Sequence, residues 1–142
     1  MSIRALSVRQ PHANLIAEGV KAIEVRSWAT DCRGDLVICA GKQADVALAD
    51  VIEVPAHPRG VTLCVVELHD VRPLRRRDAL AGCFLADELD LSGLFAWCLT
   101  RVRAIEQRPI KGKLGLFHVE RRLTGLSPEF YSGVTPTAGS IL

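Results

Sequence analysis

The chain has 142 residues, 49% of them apolar, with only two Trp, one Tyr and four Phe. That length fits one domain with a mainly aliphatic core. A net charge of +2, from 18 Lys+Arg against 16 Asp+Glu, is too mild to indicate nucleic acid by itself. No apolar run approaches the roughly 18 residues of a membrane span and no signal-peptide pattern precedes the first strand, so the expectation is a soluble, cytoplasmic protein without membrane contact.

Ile3–Val8 reads as a short strand. The next stretch, QPHANLIAEGV, changes period: Ala13, Ile16, Ala17 and Val20 recur at helical spacing, Pro11 suits a first helical turn and Gly19 suits a stop. This helix feeds a strand that begins near Lys21, where alternation puts Ile23 and Val25 on one face and Glu24, Arg26 and Trp28 on the other. Asp31–Asp35 reads as a turn, and Leu36–Ala40 is a continuous apolar run suited to a strand buried on both faces. Gly41–Ile52 can form a second helix, with Val54–Gly60 a loop after it. Val61–Leu74 is the strongest strand signal. Arg75–Asp90 fits either a short helix or a loop, Leu94–Glu106 one long strand or two bent ones. Arg108–Gly115 reads as a loop, Leu116–Leu123 as a last strand, and the Gly-, Ser-, Thr- and Pro-containing residues from Thr124 as a fraying tail. Helices do not separate most of the strands, so the expected class is α+β: a small closed or half-closed mixed β-barrel with peripheral helices, over residues 1–123, followed by a partly flexible tail over 124–142.

The charge is unevenly spread. Between Arg101 and Arg122 seven basic residues face two acids, a local +5, which leaves about −3 for the rest. Such a segment is either an electrostatic footprint for an anionic partner or a set of solvated strand faces. The five cysteines form no C-x-x-C pair. Cys39, Cys64 and Cys98 sit in apolar runs, as small buried hydrophobes of a reducing compartment do. Nucleotide-binding glycine motifs, zincin motifs and a nucleophile elbow are all absent. The four His are scattered and no Cys/His pair has metal spacing, so no metal and no cofactor is expected.

The chemistry that remains gathers near Lys21. A Glu and an Arg two apart on one strand face can pair and fix each other, and a desolvated Lys beside them can act as a base because burial lowers its pKa. The alternative is an exposed pair that contributes little. Gln10 stands at the mouth of the first helix, whose free N–H groups favour a phosphate or carboxylate. Lys111 and Lys113, spaced by Gly112, suit a phosphate backbone. Trp28 can stack on a base or pack as a half-buried strand-end aromatic.

These residues carry a resemblance. Leu6–Lys42 resembles the ASCH domain, whose pattern runs roughly S-x-x-Q-P-[WH]-A, G-x-K-x-x-E-x-R-[ST]-W, then RG-x-L-x-I-x-A; Ser7, Gln10, Pro11, Gly19, Lys21, Glu24, Arg26, Trp28 and Gly34 stand at matching positions. RPIKGKLGLFHVE resembles the closing segment of the family. The resemblance implies a PUA-like barrel with an early helix at its mouth. It also implies a cleft lined by Lys21–Arg26, the helix start near Gln10 and the loop near Lys111. Relatives suggest RNA or DNA binding in a positive groove. Some small members remove acyl groups from N4-acylcytidine nucleosides and others are ribonucleases. That amidohydrolase branch carries a nucleophilic Thr where this chain has Glu24, and a carboxylate does not replace a hydroxyl in acyl transfer. The chain therefore resembles the coactivator-type branch more closely.

Two functions follow as expectations. One is a binding module for RNA, single-stranded nucleic acid or a modified nucleoside, with Arg26, Lys42, Lys111 and Lys113 near phosphate and Trp28 or Gln10 near a base. The other is a small hydrolase of a modified nucleoside or of RNA, with Lys21 and Glu24 as its acid–base pair. A third option is a structural or protein-interaction module. The sequence does not fix the oligomeric state.

Overall fold

The computed structural model describes residues 1–44 and 57–131. Six strands form one mixed sheet: β1 (Ser2–Gln10), β2 (Ile23–Arg26), β3 (Gly34–Ala44), β4 (Val61–Pro73), β5 (Phe95–Ala104) and β6 (Leu116–Glu120), in the order β2-β5-β4-β3-β1-β6. Among the described residues only β1 and β3 pair in parallel. Helix α1 (His12–Ala17) follows β1, and a short helix α2 (Ala79–Gly82) follows a 3-10 turn at Arg76–Asp78. None of the described helices is long and apolar enough to cross a membrane.

β3 explains why its apolar run is unbroken. Leu36, Ile38 and Ala40 enter one core cluster with Leu6, Val8, Val66 and Trp97, while Val37 and Cys39 enter another with Ile3, Ala5, Val65 and Phe117. A strand in the middle of a sheet covered on both faces buries both of its side-chain rows. Ala13 and Ile16 of α1 are fully buried in the first cluster, so this helix is the plug of that face.

The expected barrel is not closed. β2 lies at one edge of the sheet and β6 at the other, and each edge is managed locally. α2 covers the β2 side, where Ala22 N donates to Ala81 O at 2.9 Å, and α1 packs against β1, β3, β4 and β5, filling the face that closure would otherwise have to seal.

Several boundaries differ from the sequence reading. α1 ends at Ala17, so Val20, counted into its apolar stripe, is exposed. The chain turns at Gly19, φ +79°, a conformation glycine adopts at little cost. Gly41–Ala44, expected to open a helix, extend β3 instead, and the rest of that segment, 45–56, lies outside the described residues. Leu94–Glu106 is one strand, bent where its register against β4 shifts. The last strand stops at Glu120 and becomes a 3-10 turn at Arg121–Thr124. Thr124–Tyr131, read as fraying, folds back: Tyr131 is buried in the second cluster, its hydroxyl meets Thr124 Oγ1, and the Arg121 guanidinium lies 3.7 Å from its ring centre. The burial of this aromatic ring, about 1.5–3 kcal/mol for a large side chain, together with its hydroxyl and cation–π contacts, offsets the ordering cost of about 1–2 kcal/mol per residue that a flexible composition would otherwise leave unopposed.

All five cysteines are free. Burial pushes the thiols of Cys39 and Cys64 up to about 12, which leaves them protonated and inert at neutral pH.

Candidate functional site

An open cleft of about 1900 Å³ runs beside β2, bounded by the ends of β1 and β3, by α2 and by the Ile110–Gly115 loop. Its geometry starts from β2. Alternation holds there: Ile23 and Val25 pack with Leu74, Ala96 and Phe84, which turns Glu24 and Arg26 to the other side.

Glu24 is buried and its carboxylate is surrounded by donors. Arg26 Nε and Nη2 reach Oε2 at 3.1 and 2.9 Å, Val25 N reaches Oε1 at 3.3 Å, and Lys21 Nζ stands 3.8 Å from Oε1. Arg26 Nη2 also donates to Ser7 O at 2.8 Å, which ties β2 to β1 across the cleft floor. Lys21 is only 2% exposed and donates to Gly82 O of α2. Burial, opposed in part by the Glu24 carboxylate, holds the Lys21 ammonium below its ordinary pKa.

α2 is placed by a second ion pair. Asp78 is buried, accepts Arg72 Nη1 and Nη2 at 2.8 Å each and accepts Arg75 N at 2.9 Å. The bidentate Arg72 contact, first of all, holds the Asp78 carboxyl below its ordinary pKa.

Lys42, Lys111 and Lys113 line the cleft as exposed side chains, and Trp28 lines it as a half-buried one. Trp28 meets Trp97 edge to face at 4.7 Å, and Trp97 Nε1 donates to Trp28 O at 3.1 Å, so it is at once core rim and cleft wall. Gln10 is the exception. It is buried and absent from the lining. Its Nε2 donates to Asn14 Oδ1 and to Pro58 O, each at 2.8 Å, and its Oε1 accepts Asn14 N at 3.0 Å. The amide that was expected near a base instead satisfies one of that helix's own open N–H groups.

Three kinds of lining residue were not assigned from sequence. Arg9 is an exposed cation at the mouth. Ser7 lies in the floor. The signal was present: the i, i+2 row Ile3, Ala5, Ser7, Arg9 passes from apolar to polar, which marks where a strand face leaves the core. The third kind is apolar. Leu80 and Leu114, 90% and 100% exposed, stand on the rim with Val20 and Leu85. Among the described residues the lining carries six Lys and Arg (Arg9, Lys21, Arg26, Lys42, Lys111, Lys113) against Glu24 and Glu88, so the cleft has a far stronger positive bias than the chain as a whole.

The ASCH domain family model matches residues 6–111, which run from within β1 to Lys111 of the closing loop and take in most of the cleft lining. The chain belongs to the ASCH domain family. Three solved structures share the fold. ASCH from Zymomonas mobilis is 12% identical, with a TM-score of 0.61 over 86% of this chain and 90% of that one. A tyrosine-to-phenylalanine and a serine-to-alanine variant of that protein are each 11% identical, with TM-scores of 0.59 over 86% of this chain and 93% and 91% of theirs. Comparison with curated proteins finds no match. The fold is thus the PUA-like one the resemblance implied, with an open sheet in place of the barrel.

Proposed function

We propose that this ASCH domain binds RNA, another single-stranded nucleic acid or a modified nucleotide in the basic cleft. The observation that supports it is the clustering of Arg9, Lys42, Lys111 and Lys113 around the mouth, beside the half-buried face of Trp28. Cations at this density attract phosphates, and an aromatic face accepts a base without regard to sequence. Affinity for a single-stranded oligonucleotide then falls steeply with salt, about 0.7 log units per log unit of salt for each phosphate neutralised. Binding that is absent at low salt, or indifferent to salt, overturns the reading.

One observation favours a second reading, hydrolysis of a modified nucleoside or of RNA. Lys21 is buried, has a lowered pKa and stands 3.8 Å from Glu24, as a Lys–Glu pair that activates a water does. Against it, both Glu24 oxygens already accept hydrogen bonds. Lys21→Ala and Glu24→Ala each abolish turnover of acylated nucleosides or RNA if this reading is right, and unchanged turnover in both folded variants removes it. We read the chain as nearer the coactivator-type branch, because Glu24 stands where the amidohydrolase branch carries a Thr. Five free cysteines fit a reducing compartment such as the cytoplasm, and we take residues 1–123 as the binding domain, with Thr124–Tyr131 packed onto its core through Tyr131.

A further inference from the structure

Ser7 Oγ is a buried polar atom of the cleft floor. It is fully buried and, among the described residues, has no hydrogen-bond partner. Its own carbonyl holds Arg26, so its backbone is fixed. A buried hydroxyl without a partner is destabilising by itself and is retained in native structures where a ligand, water or ion completes it.

What covers it is Gly112. A Cβ on that residue would stand 2.4 Å from Ser7 Oγ, so the loop lies close over the hydroxyl and any side chain there would have to displace one or the other. The residues on either side are Lys111 and Lys113, both exposed and both in the cleft lining. The loop is tied at one end, where Ile110 N donates to Gly60 O at 2.9 Å, and turns at the other on Gly115, φ +66°.

We propose that Ser7 Oγ, Gly112, Lys111 and Lys113 form a subsite for one phosphate group. Resting on the nucleic-acid reading above, this names which group of the ligand is gripped and where. The phosphate sits between the two ammonium groups, the loop lifts at Gly112, and the Ser7 hydroxyl donates to a phosphate oxygen. A charge-assisted hydrogen bond of this kind is stronger than a neutral one. Because the hydroxyl is neutral, its contribution does not depend on released counterions, whereas those of the lysines do. The phosphate can be an internal one of a strand, a terminal one or a free one.

The test uses the full chain and three probes: a single-stranded RNA octamer with a 5′-phosphate, the same octamer without it, and inorganic phosphate. The variants are Ser7→Ala, Lys111→Ala and Lys113→Ala, and both binding isotherms over a salt series and thermal midpoints are recorded. Ser7→Ala is expected to weaken octamer binding about ten-fold or more with an unchanged salt slope and a thermal midpoint that does not fall. Each lysine variant is expected to make the slope shallower by roughly 0.7. Loss confined to the phosphorylated octamer marks a terminal phosphate, equal loss on both octamers marks an internal one, and loss of inorganic phosphate binding in addition marks a site that accepts the free anion. Ser7→Ala that binds like the wild type overturns the subsite while the nucleic-acid reading stands. A lowered midpoint with unchanged binding assigns the hydroxyl to the fold through a buried water, and overturns it too. A wild-type chain that binds none of the probes at low salt removes both readings.

Discussion

Replacing Gly112 by alanine probes the contact on which the cleft floor is built. Gly112 does not need a left-handed backbone, so alanine is not strained there by conformation and any cost must come from space. The new Cβ would stand 2.4 Å from Ser7 Oγ, where real atoms do not sit, and its next neighbour is Ser7 Cβ at an ordinary 3.5 Å. Either the hydroxyl rotates or the loop lifts. Overpacking of this kind costs about 1–3 kcal/mol, a Tm roughly 3–10 °C lower for a chain of this size. Ser7→Ala removes the clashing atom together with an unsatisfied buried hydroxyl, and on its own it is expected to be neutral or stabilising. The two substitutions are therefore coupled: Gly112→Ala is nearly silent in the Ser7→Ala background. A double-mutant cycle from urea denaturation measures this, with an expected interaction of about 1 kcal/mol or more in favour of the double variant. Additivity within about 0.5 kcal/mol refutes the reasoning, because it would mean that the loop does not rest on Ser7.

The remaining predictions concern the ion pairs. The lowered pKa of Lys21 means that the unfolded chain holds that proton more tightly than the folded one. Its contribution to stability is unfavourable below the folded pKa and is relieved as pH rises through that pKa towards 10.5. Stability of the wild type relative to Lys21→Met should thus increase on the alkaline side, and a flat difference in urea titrations across pH contradicts the burial argument. Asp78 stabilises where Lys21 destabilises, although stability rises with pH in both cases: its folded pKa lies below 3.8, so its stabilisation is complete above that value and is lost as pH falls through the folded pKa. Asp78→Asn should remove most of that acid-side slope in a pH–stability profile. Glu24→Ala strands the buried Lys21 and the Arg26 guanidinium and should cost about 3–5 kcal/mol, read as a lower urea midpoint. Arg103 pairs with Asp35 at 2.9 Å, both nearly buried, and also donates to Phe130 O. Arg103→Ala should cost a similar amount and raise hydrogen exchange in Thr124–Tyr131 above that of β3.

Much of the sheet was legible in local pattern. Leu36–Ala40 was unbroken because β3 is covered on both faces, and Lys21–Arg26 alternated because β2 has a core side and a cleft side. The errors fall where packing overrides composition. Tyr131 pins a segment whose Gly, Ser and Pro content reads as loose. Gly41–Ala44 stay in β3 although their pattern permits a helix, because pairing of the neighbouring backbone with β1 continues to Ala44. Arg75–Asp90 resolved as neither alternative alone: a 3-10 turn and one helical turn, set by Arg72 reaching Asp78 across six residues.

The sequence by itself determined the residue types of the site and its first geometric fact. Period two on β2 commits Glu24 and Arg26 to one face and Ile23 and Val25 to the other, whatever the rest of the chain does. It also determined that a glycine would separate Lys111 from Lys113. Only the tertiary structure decided what those residues meet. Gln10 and Lys21 are both polar residues flanking α1, yet one amide is consumed by the helix start and Pro58 while the other side chain is buried against α2, because partners 48 and 61 residues away are chosen by topology. The contact between Ser7 and Gly112, 105 positions apart, exists because the loop that leads into β6, which pairs beside β1, brings that glycine down onto the floor. No local pattern encodes a distance set by chain crossing, and for that reason a serine visible in the sequence as a motif residue becomes a candidate ligand group only once the sheet is assembled.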